Sequence, residues 1–276
     1  MTMEIYQARP SPKGKRIAAI DIGSHTTRML VAEYTGSPGV FSALARRREY
    51  TRLAEGFNGD KKGNLSGVAV ARTAETIRGF VEVAGRYGAD TFVALSTGVT
   101  RWAQNKQYFL DKVKERTGLD IKITSGEREA LLTRRGVIYG SGGSGSDSRV
   151  IFDLGGATTE FIWGQEENLK IKSLPIGALV MTQDHFHSDP PGHDMIGDMS
   201  DAVDSILSSG ISVERERLIN IGLTGSGGTA TTMAAIIHGL GVRDIIPERI
   251  NGMVIDRERV QDFFSRIRAI PLSRRK

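Results

Sequence analysis

The chain contains no cysteine in its 276 residues. Disulfides, thiolate nucleophiles and Cys-ligated zinc are therefore excluded, and the absence fits a reducing compartment. Aromatic residues are sparse at 7%. They are not interleaved with basic residues, and no zinc-finger spacing marks a nucleic-acid module. No apolar run is long enough to cross a bilayer: the longest small, apolar stretch, Ala230–Leu240, is interrupted by His238. The segment Met1–Arg16 is polar, ends in Pro-Lys-Gly-Lys-Arg and lacks the apolar centre of a signal peptide. These absences set the first expectations: a cytoplasmic chain, without a nucleic-acid or membrane partner.

What is present is ordinary for a folded protein. Hydrophobic residues at 39% and charged residues at 25% suffice for one large or two modest domains. The formal charge of +5 favours an anionic partner. Basic residues are dispersed, apart from Arg46-Arg47-Arg48 and Arg274-Arg275-Lys276.

Along the chain, apolar periodicity predicts strands at Ile17–Ile20, Met29–Tyr34, Thr91–Leu95 and Ile121–Thr124. A helix opens after Ser66, with Val70, Ala74, Ile77, Val81 and Ala84 on one face. Two more are expected at Gln107–Arg116, closed by Gly118, and at Glu127–Tyr139. The stretch Gly140–Ser148 has nothing to bury and reads as a loop near a lobe boundary. After it the pattern restarts: Arg149–Phe152 as a strand, Asp153-Leu154-Gly155-Gly156, then the strand Thr159–Trp163. A strand at Leu218–Leu223 leads into a glycine-rich turn and a helix from Ala230 to His238, and Val260–Ile267 suits a short helix. The segment Gln183–Asp194, with His185, His187, His193 and two prolines, matches no zinc spacing and reads as a plain loop.

The restart is a repeat. A shift of 132 residues aligns Asp21 with Asp153, Gly23 with Gly155, Thr26 with Thr158 and Thr27 with Thr159. Strand, aspartate, glycine, paired threonines and strand recur at a domain-sized interval, which points to a duplicated lobe. The expected domains are therefore 1–135 and 136–276.

A hairpin rich in Gly, Ser and Thr aims several N–H groups and hydroxyls at one point, which suits phosphate oxygens. The candidates are Gly23, Ser24, His25 and Thr26 in the first turn, and Gly155, Gly156, Ala157 and Thr158 in the second. Gly227, Gly228 and Thr229 precede a helix, where exposed amides also favour anions, although no Walker ending follows. Asp21 and Asp153 at the strand ends are candidate Mg2+ ligands, directly or through water.

Seven segments then occur in order: Asp21-Ile22-Gly23-Ser24, Arg52-Leu53-Ala54-Glu55-Gly56, Thr97-Gly98-Val99-Thr100-Arg101 with Asn105, Ser125-Gly126-Glu127-Arg128-Glu129-Ala130, Asp153 to Glu160, Ser173-Leu174-Pro175-Ile176-Gly177 and Gly225-Ser226-Gly227-Gly228-Thr229. This ordered set resembles the exopolyphosphatase/guanosine pentaphosphate phosphohydrolase (Ppx/GppA) family, from about Arg16 to the C-terminus. The resemblance implies an α/β, two-lobed actin-like (sugar kinase/Hsp70/actin) superfold with duplicated ribonuclease H-like lobes and a central cleft. It implies hydrolysis of terminal phosphate from inorganic polyphosphate with Mg2+ or another divalent cation. The alternatives are guanosine pentaphosphate as substrate, or a non-hydrolytic sensor of either ligand. By the same resemblance Glu129 acts on the attacking water, Asp153 and Glu160 hold metal, and Arg101 faces phosphate. Arg52 and Glu55 match positions without an assigned role. Two-lobed relatives commonly dimerise, so a homodimer is an expectation.

The match departs from the family's pattern at His25, where asparagine is usual, and at Ala157, where a third glycine is usual. Thr158 replaces serine and keeps the hydroxyl. Related proteins generally continue a few dozen residues beyond the equivalent of Lys276, and longer members add an HD-type domain. The expectation is a short two-lobed form with its second lobe incomplete at the end.

Overall fold

The segment Lys15–Ile22 forms strand β1, in which burial alternates from Ala18 onward, with Ala18, Ile20 and Ile22 buried and Ala19 and Asp21 exposed. The computed structural model describes residues 14–34, 41–57, 63–141, 149–211 and 222–275. The chain falls into two compact units, Met1–Glu129 and Ala130–Lys276.

In the first unit β1 pairs antiparallel with β2 (Thr27–Tyr34), and β2 with β3 (Phe41–Glu49). On its other side β1 runs parallel to β4 (Thr91–Ser96), and β4 to β5 (Ile121–Ile123), giving the order β3-β2-β1-β4-β5. Helix α1 (Gly67–Arg86) begins where expected, with the Ser66 hydroxyl accepting from the Ala69 N–H at 3.2 Å. It packs on β2, β3 and helix α2 (Lys106–Thr117), and buries Val70, Ala74, Ile77 and Ala84, with Phe80 added to the expected set. Each fully buried isoleucine here contributes roughly 1.5–3 kcal/mol. Gly118 closes α2 in the left-handed conformation, φ 73°. Strand β3 has no counterpart in the sequence reading. A register shift opposite Val31/Ala32 breaks its alternation, and its arginine run masks it.

In the second unit helix α3 (Gly126–Gly140, its first turn still in the first unit) packs Ala130 against Ile151 and Ile162 of strands β6 (Val150–Leu154) and β7 (Thr159–Trp163). Strand β8 (Lys170–Leu174) extends the sheet beside β7, and β9 (Leu223–Ser226) lies parallel to β6, for the order β8-β7-β6-β9. This repeats the first four positions of the other sheet, so the fold is the duplicated arrangement of the actin-like superfold. Helices α4 (Ala178–His185) and α5 (His193–Ile211) enclose Leu174, Ile176 and Met181. Helix α6 (Gly227–Ile237), the short α7 (Pro247–Ile250) and α8 (Arg257–Ile267) follow.

Two expectations are corrected. The loop expected over Gln183–Asp194 narrows to residues 186–192, because α4 runs through His185 and α5 begins at His193. Of the expected strand Leu218–Leu223 only the end is described, and there the strand runs on as Leu223–Ser226; its helix starts at Gly227 rather than Ala230. Glycine is required inside that strand: a Cβ on Gly225 would lie 2.7 Å from the Phe152 ring. Residues 218–221 and 142–148 fall outside the described residues. Among the described residues no helix is long and apolar enough to cross a membrane.

The repeat in the sequence is a repeat of one turn. Gly23 N–H donates to Thr26 O at 3.0 Å below the pair Ile22–Thr27, and Gly155 N–H to Thr158 O at 2.9 Å below Leu154–Thr159. Each turn is braced from behind. His25 O and Ser24 O accept from Arg52 N–H and Ala54 N–H, both at 2.9 Å, and Thr27 and Thr51 hydroxyls bond at 2.8 Å. Gly155 O and Gly156 O accept from Ala178 and Leu179 N–H at the start of α4, and the Thr159 hydroxyl donates to Ile176 O.

Gly177 makes the second brace sterically tight, since a Cβ there would lie 2.3–2.4 Å from the Ala157 backbone. Gly177→Ala is expected to cost about 3 kcal/mol or more, measured by urea denaturation. Gly79 in α1 is the contrast: nothing lies within 4 Å of an added Cβ. Gly79→Ala should stabilise by about 0.5–1 kcal/mol in the same assay.

Candidate active site

Arg101 closes a 3-10 turn, Gly98–Arg101, that follows β4. Gly98 adopts φ +60°, and an added Cβ would meet the Ser24 hydroxyl at 2.4 Å. Only glycine lets that turn approach the first phosphate-loop candidate so closely. The Ser24 hydroxyl accepts from Val99 N–H at 3.1 Å and is buried, so this expected phosphate contact also locks two loops together.

The Arg101 guanidinium forms an ion pair with Glu129, the side chains 15% and 21% exposed. Arg101, in the turn after β4, and Glu129, on α3, are thus brought together although 28 residues apart. Glu129 lies in the first turn of α3, where carboxylates complement the helix dipole, and Arg128 beside it is exposed. One helical turn further on, the Thr133 hydroxyl donates to Asp153 Oδ2 at 3.4 Å.

Asp153 is the cross-strand partner of Glu160, so both carboxylates occupy one face of the β6–β7 pair. Directly opposed side chains have Cβ atoms roughly 4.5–5.5 Å apart. Glu160 is 4% exposed and accepts from the Ser173 hydroxyl at 2.8 Å. Two oxygen-rich ligands side by side suit Mg2+, which typically takes one or two carboxylates and completes its shell with phosphate and water. Among the described residues no group of three or more His, Cys, Asp or Glu forms a larger metal cluster.

The equivalent position in the first hairpin carries the opposite charge. Asp21 is exposed, and its partner across β1–β2 is Arg28. Gly227, with φ +91°, packs against the other set: an added Cβ would lie 2.8 Å from Asp153 Oδ1 and 2.7 Å from Leu154 O. The expected anion contacts Gly227, Gly228 and Thr229 form the first turn of α6.

Within the two hairpin turns, no backbone acceptor among the described residues takes the N–H groups of Ser24, His25, Gly156 or Ala157. Ala157 has no positive φ, so replacing glycine there brings no backbone strain. The other departure, His25, lies 5.3 Å from the Tyr50 ring, which in turn sits under Arg48. Burial, and then the neighbouring Arg52 and Arg48, hold the imidazole below its ordinary pKa.

Several contributors were not singled out in the sequence. Arg72 on α1 donates to Thr51 O at 2.7 Å and pairs with Glu55 at 2.7 Å. That pair, with Arg52 held at φ 47°, gives the Arg52–Gly56 motif a bracing role behind the first turn. Thr133 and Ser173 were likewise missed as partners of the metal-associated acids. Ser173 lay inside a recognised motif, whereas Thr133 and Arg72 carried no local signal.

Comparison with known proteins identifies the family. A protein-family model described as the Ppx/GppA phosphatase family matches residues 30–276. A guanosine-5'-triphosphate,3'-diphosphate pyrophosphatase of Photobacterium profundum is 29% identical over 261 residues, 91% of this chain and 50% of that protein. An exopolyphosphatase 2 of Mycobacterium tuberculosis is 27% identical over 236 residues, 83% of this chain and 73% of that one. The chain spans only 35% and 33% of two further curated relatives. The crystal structure of an Aquifex aeolicus Ppx/GppA family member aligns with TM-score 0.71 and 25% identity, over 93% of this chain and 80% of that chain. Given a match across nearly the whole sequence, the chain belongs to the Ppx/GppA phosphatase family.

Proposed function

We propose that the protein hydrolyses a terminal phosphoanhydride bond of inorganic polyphosphate, with Glu129 orienting the attacking water. The observation that carries this reading is the placement of Glu129. Its carboxylate is held by Arg101, and one turn along the same helix Thr133 reaches Asp153. Phosphoryl transfer asks for an oriented water, in-line geometry and neutralised charge more than for covalent help. Glu129 serves as the hydrogen-bond acceptor for the water. Arg101 turns its fork of donors from the carboxylate to the phosphate when substrate arrives. Asp153 and Glu160, adjacent across β6–β7, would hold a divalent cation. When bound, that cation neutralises phosphate charge. In each unit, the N–H groups of its own hairpin turn, and in the second unit also those of the first turn of α6, are the donors offered to phosphate oxygens.

Guanosine pentaphosphate is the second reading, favoured by the similarity to the guanosine-5'-triphosphate,3'-diphosphate pyrophosphatase of Photobacterium profundum. Both substrates present a terminal anhydride to the same groups.

Purified protein with Mg2+ is expected to release phosphate from polyphosphate faster than from guanosine pentaphosphate. Glu129→Gln should lower kcat on the order of 100- to 10,000-fold with little change in KM. Release that survives this change would remove Glu129 from the mechanism. Tight binding by the unmodified protein without any release would make it a sensor.

His25 sets a pH dependence of stability. Its folded pKa lies below the ordinary 6.5. The unfolded chain therefore binds the proton more readily. The stabilising contribution is full above about 6.5 and is lost as pH falls through the folded value. Tm is expected to fall between neutral and mildly acidic pH, and His25→Asn should flatten that fall; an unchanged slope would show that His25 is not its source.

A further inference from the structure

Arg52 holds φ 47°, and elsewhere among the described residues positive φ falls on glycine alone. In the left-handed region a Cβ crowds the carbonyl oxygen, so an arginine is strained there where glycine would not be. The brace behind the first turn does not ask for it. Arg52 enters that brace through its main chain: its N–H donates to His25 O at 2.9 Å. Its carbonyl accepts from Glu55 N–H at 2.9 Å and from the Arg72 guanidinium at 3.3 Å. Any residue supplies those groups, and glycine supplies them without strain. What the strained position adds is the side chain.

That side chain is exposed, and among the described residues no carboxylate pairs with its guanidinium. Glu55, on the same motif, pairs instead with Arg72 at 2.7 Å. The surroundings are cationic. Burial, then Arg52, then Arg48 lower the His25 pKa, so both guanidinium groups lie near the imidazole. Arg48 is seated over the Tyr50 ring at 5.0 Å, whereas Arg52 has no such contact among the described residues. In the same turn the Ser24 and His25 N–H groups have no backbone acceptor among the described residues. Donors and positive charge thus gather at one turn, which suits an anion.

We infer that Arg52 is a further phosphate-binding residue, whose guanidinium joins the amides of the first hairpin turn in holding one phosphate group of polyphosphate. The inference rests on the function proposed above and gives a ligand role to a residue which that reading leaves in the brace. A guanidinium fork matches two oxygens of one phosphate. The phosphate also offsets the repulsion between Arg52 and Arg48. Arginine at this position therefore lowers the stability of the empty fold and raises affinity for the ligand.

The test reads stability and binding together, and the two are expected to move in opposite directions. Arg52→Gly keeps the main-chain brace and relieves the strain, so the midpoint of urea denaturation should rise. Binding is measured in the full chain carrying Glu129→Gln, titrated with long-chain polyphosphate. Adding Arg52→Gly should lower that affinity on the order of tenfold. The slope of log affinity against log salt should shrink by about one. Arg52→Lys keeps both charge and strain, so its midpoint should stay, and its affinity should fall by only about threefold for want of the fork. Guanosine pentaphosphate, titrated in the same way, should lose affinity to a similar degree, because the contact is to phosphate. Midpoint and affinity falling together in Arg52→Gly would overturn the inference, since the side chain would then be holding the fold. A raised midpoint with unchanged affinity would overturn it as well, since the guanidinium would then touch no ligand. Phosphate release by the unmodified chain tests the catalytic reading separately. Release accompanied by unchanged affinity in Arg52→Gly sinks this inference alone, and lost affinity without any release sinks the catalytic reading alone.

Discussion

Gly155 N–H donates to Thr158 O, and Gly23 N–H to Thr26 O, closing two turns in which each glycine packs close to a carbonyl. An added Cβ would lie 3.0 Å from Thr158 O in one and 3.2 Å from Thr26 O in the other. Much of the candidate site follows from these bonds. Because carbonyls of each turn are engaged from behind, by Arg52 and Ala54 in one case and by the start of α4 in the other, the remaining amides stay available in front. A turn rigid before the ligand arrives avoids the ordering cost that a mobile loop would incur on binding. The threonine that follows each turn anchors the same brace, Thr27 to Thr51 and Thr159 to Ile176.

Identical turns do not make identical sites. The residue opposite the aspartate decides the chemistry: Arg28 faces Asp21, whereas Glu160 faces Asp153. An aspartate beside an arginine is an electrostatically satisfied pair with little left for a cation. Two adjacent carboxylates form a site that a hard cation completes. Duplication thus supplied two copies of one scaffold, and a single position in each hairpin gives one an Asp–Arg pair and the other an Asp–Glu pair.

Both hairpins were legible because strand, turn and strand follow one another locally, and α1 because its cap and its apolar stripe agree. The contrast between Arg28 and Glu160 was also present in the sequence, since a four-residue turn fixes the register that opposes them. What was not legible depends on distant packing. Strand β3 reads as a basic run, yet it is held by a sheet edge supplied by β2. Helix α5 is rich in Ser, Gly and Asp, residues that favour turns, and it forms because Met199, Val203, Ile206 and Leu207 pack on Leu174, Ile176 and Met181. The pairing of Arg101 with Glu129 joins segments whose separation carries no periodic signal, so Glu129 was identified only through the resemblance.

That pairing is where stability and turnover pull apart. A partly buried carboxylate and guanidinium each lose hydration, and their attraction offsets the loss only while they remain together. A phosphate that draws Arg101 away must therefore supply the charge contacts that the arginine gives up. It can do so, because a terminal phosphate carries more charge and more acceptor oxygens than a carboxylate, and binds the guanidinium fork at least as well. On the proposed reading Glu129 is then left beside an anion with its acceptor oxygens turned toward water, as a water-orienting carboxylate requires. The ion pair with Arg101 would keep this carboxylate compensated until substrate binds, so that a group costly to leave unpaired is released only in the complex that the proposal has it serve.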